Sequence, residues 1–238
     1  MVQLTQNHPY ITLRVKFKKT GPLQYISHLD LVRTMMKIIT RADLPLWYTE
    51  GFNPKPKVIF AAPLSIGTES VAEYMDIKLV DDIPPEEAMR RLNLNMTEDM
   101  KVLDCYYTEG KLTDLKWLTY RIEIKTKDNS PLVAERCREA LNLPELLIEK
   151  KAPKPGETPK TADIKPLIHS AKVDYDAERD MLVIDATLSA DASSFLNPEY
   201  LVKALRKYAG ILASENLLEE RYSIMRLEAL REDFTPFA

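Results

Sequence analysis

The chain is short of the residues in which most catalytic and cofactor motifs are written. It has only six glycines in 238 residues, all isolated, so no glycine-rich loop is available to cradle a phosphate. Its two cysteines, Cys105 and Cys137, form neither a disulfide framework nor a metal-ligand spacing. Three histidines include no His-x-x-x-His pair, and nothing presents a nucleophile on a strained strand-to-helix turn. No metal and no cofactor is therefore expected. No apolar run approaches the roughly 18 residues of a spanning helix, and MVQLTQNHPY lacks the charged-then-apolar pattern of a secretory signal. These absences point to a reduced, cytoplasmic protein without a membrane partner.

Charge is also missing in bulk, with a net −3, but it is unevenly placed. Residues 1–60 carry nine Lys/Arg against three Asp/Glu, and residues 61–112 carry five against eleven. The remainder carries the whole net −3, which makes it the better surface for docking a protein partner. Asymmetry of this kind builds a positive patch inside an acidic protein, unless folding pairs the two segments.

The periodicities describe an α+β chain. Residues 10–18, YITLRVKFK, alternate, with Leu13, Val15 and Phe17 on one face and Arg14, Lys16 and Lys18 on the other; this predicts a half-buried strand with an exposed basic face. SHLDLVRTMMKIITRAD predicts a helix capped by Ser27, with Asp30 three residues on. Leu29, Val32, Met36 and Ile39 would form its apolar stripe, and Arg33, Lys37 and Arg41 another face. KVIFAAPLSIG (57–67) reads as a strand apolar on both faces, AEYMDIKLV as another, PPEEAMRRLNLN as a helix and MKVLDCYY as a strand. The order β-α-β-β-α-β predicts a ferredoxin-like domain over 1–112, its helices on one face of an antiparallel sheet. A second β-α-β-β-α-β follows over 113–238, with a Pro/Lys-rich mobile insertion near 150–166 and a helix capped by Asn197 and stopped by Gly210. Two ferredoxin-like domains in tandem are the expected architecture.

Residues 48–58, YTEGFNPKPKV, concentrate what the rest of the chain lacks. Gly51 supplies a conformation other residues resist, while Asn53-Pro54 and Lys55-Pro56 hold the backbone extended. Phe52, with Trp47 and Tyr48, offers faces on which unpaired bases can stack beside Lys55 and Lys57; the alternative is a rigid connector whose aromatics fill the edge of the core. The candidate RNA- or partner-binding set is thus Arg14, Lys16, Lys18, His28, Arg33, Lys37, Arg41, Phe52, Asn53, Lys55 and Lys57. His28 is also the one candidate catalytic residue: a neutral imidazole at a helix start, beside these cations, can act as a general base on a phosphodiester. Its ordinary alternative is local packing. His169 reads as structural and His8 as part of a frayed tail.

Residues 21–79 also carry a resemblance. The matching positions are His28, Leu29, Asp30, Leu44, Pro45, Gly51, Phe52, Asn53, Pro54, Pro56, Pro63, Leu64, Gly67, Glu73, Tyr74 and Asp76. The chain resembles the radical-SAM-linked protein family, an uncharacterised bacterial family, with DIKPLI (163–168) and the LNPEYLVKAL helix matching more loosely. The resemblance implies a partner: a radical S-adenosylmethionine enzyme encoded beside or fused to such proteins, often near genes of RNA processing. The expected function is a non-catalytic accessory that binds or presents RNA, ribosomal or transfer, to that enzyme. The alternatives are a metal-independent RNA-processing enzyme using His28 and a pure protein–protein scaffold.

Overall fold

The computed structural model describes residues 10–150, 158, 160–214 and 216–237. His8 and about half of the expected mobile insertion, residues 151–157 and 159, lie outside them. The chain divides into two units, Met1–Asp114 and Leu115–Ala238. It is an α+β protein with four α-helices among the described residues.

The first unit runs β1 (Ile11–Lys19), α1 (His28–Arg41), β2 (Val58–Phe60), β3 (Thr68–Leu79), α2 (Pro85–Asn93) and β4 (Met100–Tyr107). Its strands lie in the order β4-β1-β3-β2, every neighbouring pair antiparallel. Leu13, Val15 and Phe17 are fully buried and join Met75, Ile77 and Leu79 beneath the helices. Helix α1 begins where expected, because the Ser27 hydroxyl accepts from the Asp30 N–H at 3.1 Å and donates to the Asp30 carboxylate at 2.7 Å. Its buried stripe keeps Ile39 of the expected set and otherwise differs from it. Leu31, Met35, Ile38 and Ile39 face the core, whereas Leu29 is 57% exposed. Both sets satisfy the helical period, and only the packing partner chooses between them. The expected long strand over 57–67 is also corrected, since β2 is three residues long. Its ladder ends with the Ala61 N–H donating to the Tyr74 carbonyl at 2.9 Å, two residues before Pro63, which has no N–H to continue it.

The second unit runs β5 (Trp117–Lys125), α3 (Pro131–Leu141), β6 (Leu147–Lys150), β7 (Lys160–Asp163), β8 (Ile168–Asp176), β9 (Met181–Ser189), α4 (Pro198–Ala209) and β10 (Arg221–Leu230). The main strands lie in the order β10-β5-β9-β8, again antiparallel throughout, and β6-β7 form a separate two-stranded sheet. Strand β7 occupies part of the segment expected to be a mobile loop. Helix α4 is capped by Asn197, whose side chain accepts from the Glu199 N–H at 3.0 Å, and is stopped by Gly210 at φ +66°. Among the described residues no helix is long and apolar enough to cross a membrane.

The other face of β1 corrects the expected exposed basic stripe. Arg14 is 1% exposed and stands opposite Asp76 in the β1–β3 register. Its guanidinium grips the carboxylate at 2.7 and 3.1 Å and donates to the Gly110 carbonyl at 2.8 Å. The segment after β4 covers it, anchored by the Thr108 N–H donating to the Thr12 carbonyl at 3.2 Å. Burial works against the Arg14 charge, but Asp76 and Tyr106 more than offset it, so its pKa is held above the ordinary value.

Removing one member of such a pair leaves an uncompensated buried charge. Arg14→Met should cost about 3–5 kcal/mol of unfolding free energy, and Arg14→Met with Asp76→Leu should recover most of it. Urea denaturation of the two variants checks this. A single-variant loss below about 1 kcal/mol would mean that the pair does not carry the stability a buried ion pair implies.

Candidate nucleic-acid interface

The loop of interest is a finger projecting from the edge of the first unit's sheet, and its two feet stand on one residue of β3. The Trp47 N–H donates to the Lys78 carbonyl at 2.8 Å, and the Lys78 N–H donates to the Lys57 carbonyl at 3.0 Å. The feet also meet each other, with the Lys57 N–H donating to the Trp47 carbonyl at 3.0 Å. One step higher, the Thr49 N–H donates to the Lys55 carbonyl at 2.9 Å and the Lys55 N–H to the Thr49 hydroxyl at 3.1 Å. Above that rung, Gly51 at φ +124° turns the chain in a region that side chains resist. Phe52, Asn53, Pro54 and Lys55 are exposed, and the Phe52 ring is wholly in solvent. A base fixed by hydrogen bonds thus carries an aromatic tip that packs on nothing.

A basic–aromatic cluster sits at the base. The Lys57 ammonium lies 5.4 Å from the centre of the Tyr10 ring and 5.3 Å from that of Trp47, and the Lys78 ammonium lies 5.1 Å from the same Tyr10 ring. The two rings meet edge to face at 5.3 Å. The Lys78 Nζ donates to the Thr12 hydroxyl at 2.7 Å. Neither lysine makes an ion pair with a described residue. Burial pushes the Lys78 pKa below its ordinary value; Asp76 opposes this, and the positive charges of Lys57 and Arg14 add to it. Both cations are thus held against rings, and neither is salt-bridged to a described carboxylate.

The structure distributes the sequence candidates as follows. Lys57 belongs to the cluster, and Phe52, Asn53 and Lys55 to the tip. Arg33, Lys37 and Arg41 share an exposed face of α1, where Arg33 reaches Asp30 at 3.5 Å. Lys16 is half-buried and lies 5.5 Å from the centre of the Tyr74 ring. Lys18 is half-buried near Glu98, whose pKa it helps Lys101 to lower. Arg14 is spent on Asp76 and leaves the set. His28 is exposed, its ring edge-on to Phe60 at 5.8 Å, and among the described residues no hydrogen bond or ion pair engages it. Tyr10, Thr12 and Lys78 went unnoticed in the sequence. They were legible only as ends of alternating strands, because what joins them is the pairing of Thr12 with Lys78 across β1–β3.

Both thiols are buried, which pushes Cys105 up to about 12 and Cys137 up to about 11, far from nucleophilic ionisation at neutral pH. Among the described residues no group of His, Cys, Asp or Glu side chains is placed to hold a metal ion.

Fold and site define an α+β protein that presents a pinned, basic–aromatic finger. Its sequence matches, over residues 12–198, the family described as "Uncharacterized protein conserved in bacteria (DUF2344)"; the chain belongs to that family. Among curated proteins none matches the sequence. Among solved structures, a chain in the crystal structure of a Cbf5-Nop10-Gar1 complex is similar, with a TM-score of 0.50 and 12% identity, covering 96% of this chain and 52% of that one. The present chain therefore spans about half the length of its counterpart, and at this identity the likeness concerns the fold alone. Two looser likenesses are to an unknown protein from Galdieria sulphuraria (TM-score 0.26, 8% identity, 91% of this chain and 98% of that one) and to the first two RRM domains of yeast poly(U) binding protein Pub1 (TM-score 0.22, 12% identity, 90% and 98%). At such scores neither bears on fold or function.

The lowered Lys78 pKa has a sign that can be tested. Between the folded value and the ordinary one the unfolded chain binds more protons, so stability rises with pH there; below that window the charged ammonium costs stability. Lys78→Met should therefore melt at the same temperature as the wild type or higher near neutral pH, and the difference should shrink as pH approaches 10.5. Thermal melts at several pH values check this, and a variant clearly less stable at neutral pH would mean that the charge is already compensated.

Proposed function

We propose that this protein is a non-catalytic, RNA-contacting accessory of a radical S-adenosylmethionine enzyme, acting in the cytoplasm. The observation that carries the RNA part is the finger: a solvent-exposed Phe52 on a hydrogen-bonded stem, above two lysines that share one tyrosine ring. Stacking on an aromatic face beside backbone-tracking cations is how single strands are held without reading their sequence. The family resemblance supports the partner. Two ferredoxin-like domains, divided near residue 112, are the fold reading, supported by strand orders β4-β1-β3-β2 and β10-β5-β9-β8 with one helix before the second strand and one before the fourth in each. The alternative enzyme reading keeps His28, which is exposed with its ring edge-on to Phe60, as a general base.

Binding of bulk cellular RNA by the purified protein, measured at two salt concentrations, is the deciding experiment. Binding should weaken with salt, as phosphate contacts do. Lys55→Glu with Lys57→Glu should abolish most of it, and Phe52→Ala should cost about 1–3 kcal/mol per stacked base, with melting temperatures unchanged. Salt-insensitive binding, or none by the wild type, would transfer the weight to a protein scaffold.

A further inference from the structure

The second unit carries a basic–aromatic surface of its own, built from α4 and the β6-β7 hairpin. Tyr200, Lys203 and Lys207 stand three and four residues apart on α4, hence on one face; the face that packs inward is Leu201, Val202, Leu205 and Ala209. The Lys203 ammonium lies 5.2 Å from the centre of the Tyr200 ring, and Lys150 at the end of β6 reaches the same ring at 5.9 Å. This repeats the first unit's arrangement of two ammonium groups on one tyrosine.

The hairpin is fixed to the helix. Tyr208 donates its hydroxyl to the Leu147 carbonyl and accepts from the Leu147 N–H, both at 3.1 Å. The Lys207 Nζ, 4.9 Å from the Tyr208 ring centre, donates to the same carbonyl at 2.8 Å. In the β6–β7 register Lys150 stands directly opposite Lys160. Like charges in that position destabilise a sheet, and nothing in the fold calls for them. Among the described residues none of Lys150, Lys160, Lys203 and Lys207 makes an ion pair. Glu199 accepts from the Tyr222 hydroxyl at 2.7 Å, and Glu149 alternates to the hairpin face opposite Lys150.

We infer that this α4–hairpin surface is a second contact for the RNA strand, its lysines taking backbone phosphates while Tyr200 holds two of them in place. The inference rests on the RNA reading above and extends it to both units. It also revises the expectation that an acidic second unit docks protein, because the net −3 is an average over a unit that gathers these lysines at one place.

The test is the triple variant Lys150→Gln, Lys160→Gln, Lys203→Gln, titrated with a single-stranded RNA oligonucleotide over a range of salt beside the wild type and the finger variant. The plot of log affinity against log salt should flatten by about 2, at roughly 0.7 per phosphate contact on a single strand, and the melting temperature should hold or rise as the like-charge pair disappears. An unchanged slope and affinity, with binding lost in the finger variant, would overturn the second contact and leave the first standing. If the triple variant melts lower, Lys160→Gln alone, on an exposed position of the outer strand, decides by the same slope. If the wild type binds no RNA, inorganic polyphosphate separates the two failures. Stabilisation of the wild type but not of the triple variant would replace RNA with an acidic protein segment as the occupant, and no stabilisation of either would remove the site.

Discussion

One register between two strands organises the first unit. Thr12 faces Lys78, Arg14 faces Asp76 and Lys16 faces Tyr74 across β1–β3, and each pair is joined side chain to side chain by a hydrogen bond, an ion pair or a cation on a ring. A slip of one residue would send every one of these side chains to the other face and drive Leu13, Val15 and Phe17 out of the core. The buried Arg14–Asp76 pair is the least forgiving of the three, since either charge alone would be stranded without water. Because the Lys78 peptide also holds both feet of the finger, the same register decides where the Phe52 tip stands. Stability and the candidate site are therefore consequences of one alignment.

The protein treats its cations in two ways. Arg14, Lys116, Arg121 and Arg179 are set against carboxylates, and such pairs satisfy charge locally. Lys57, Lys78, Lys150 and Lys203 are instead set against rings. A tyrosine or tryptophan face attracts an ammonium by about 0.5–2 kcal/mol, enough to bias where it points, and it does so without supplying a negative charge. The cation is positioned without a salt bridge. For holding a phosphate this is better than either a free lysine, which must be ordered on binding, or a salt-bridged one, which must first be released.

Local chemistry was legible in the sequence, and pairing was not. The Ser27 and Asn197 caps, the Gly210 stop and the alternation of β1 follow from neighbours within four residues, where side chain and backbone settle the outcome between themselves. The buried stripe of α1 could not be chosen in the same way, because Leu29/Val32/Met36 and Leu31/Met35/Ile38 have equivalent spacing and differ only in which faces the sheet. Arg14 looked exposed because alternation identifies a face without saying what covers it; the covering Gly110 carbonyl comes from 96 residues away. Lys78 was invisible as a site residue for the same reason, since nothing near it in sequence announces Tyr10 or Lys57.

The uneven charge of the first 112 residues posed a choice between a surviving positive surface and mutual neutralisation. Folding does make ion pairs of the second kind, Arg14 with Asp76 among them. Glu87 serves Arg90 and Arg91 within its own segment, which holds its pKa low, near 2, and Glu98 serves Lys101. Arg33 turns to Asp30 on its own helix, while Lys37, Arg41, Lys55 and Lys57 make no ion pair among the described residues. Glu87 and Glu98 are thus engaged away from these four cations. Surface cations without a salt bridge draw a polyanion toward them before any contact forms, and that steering falls away with salt.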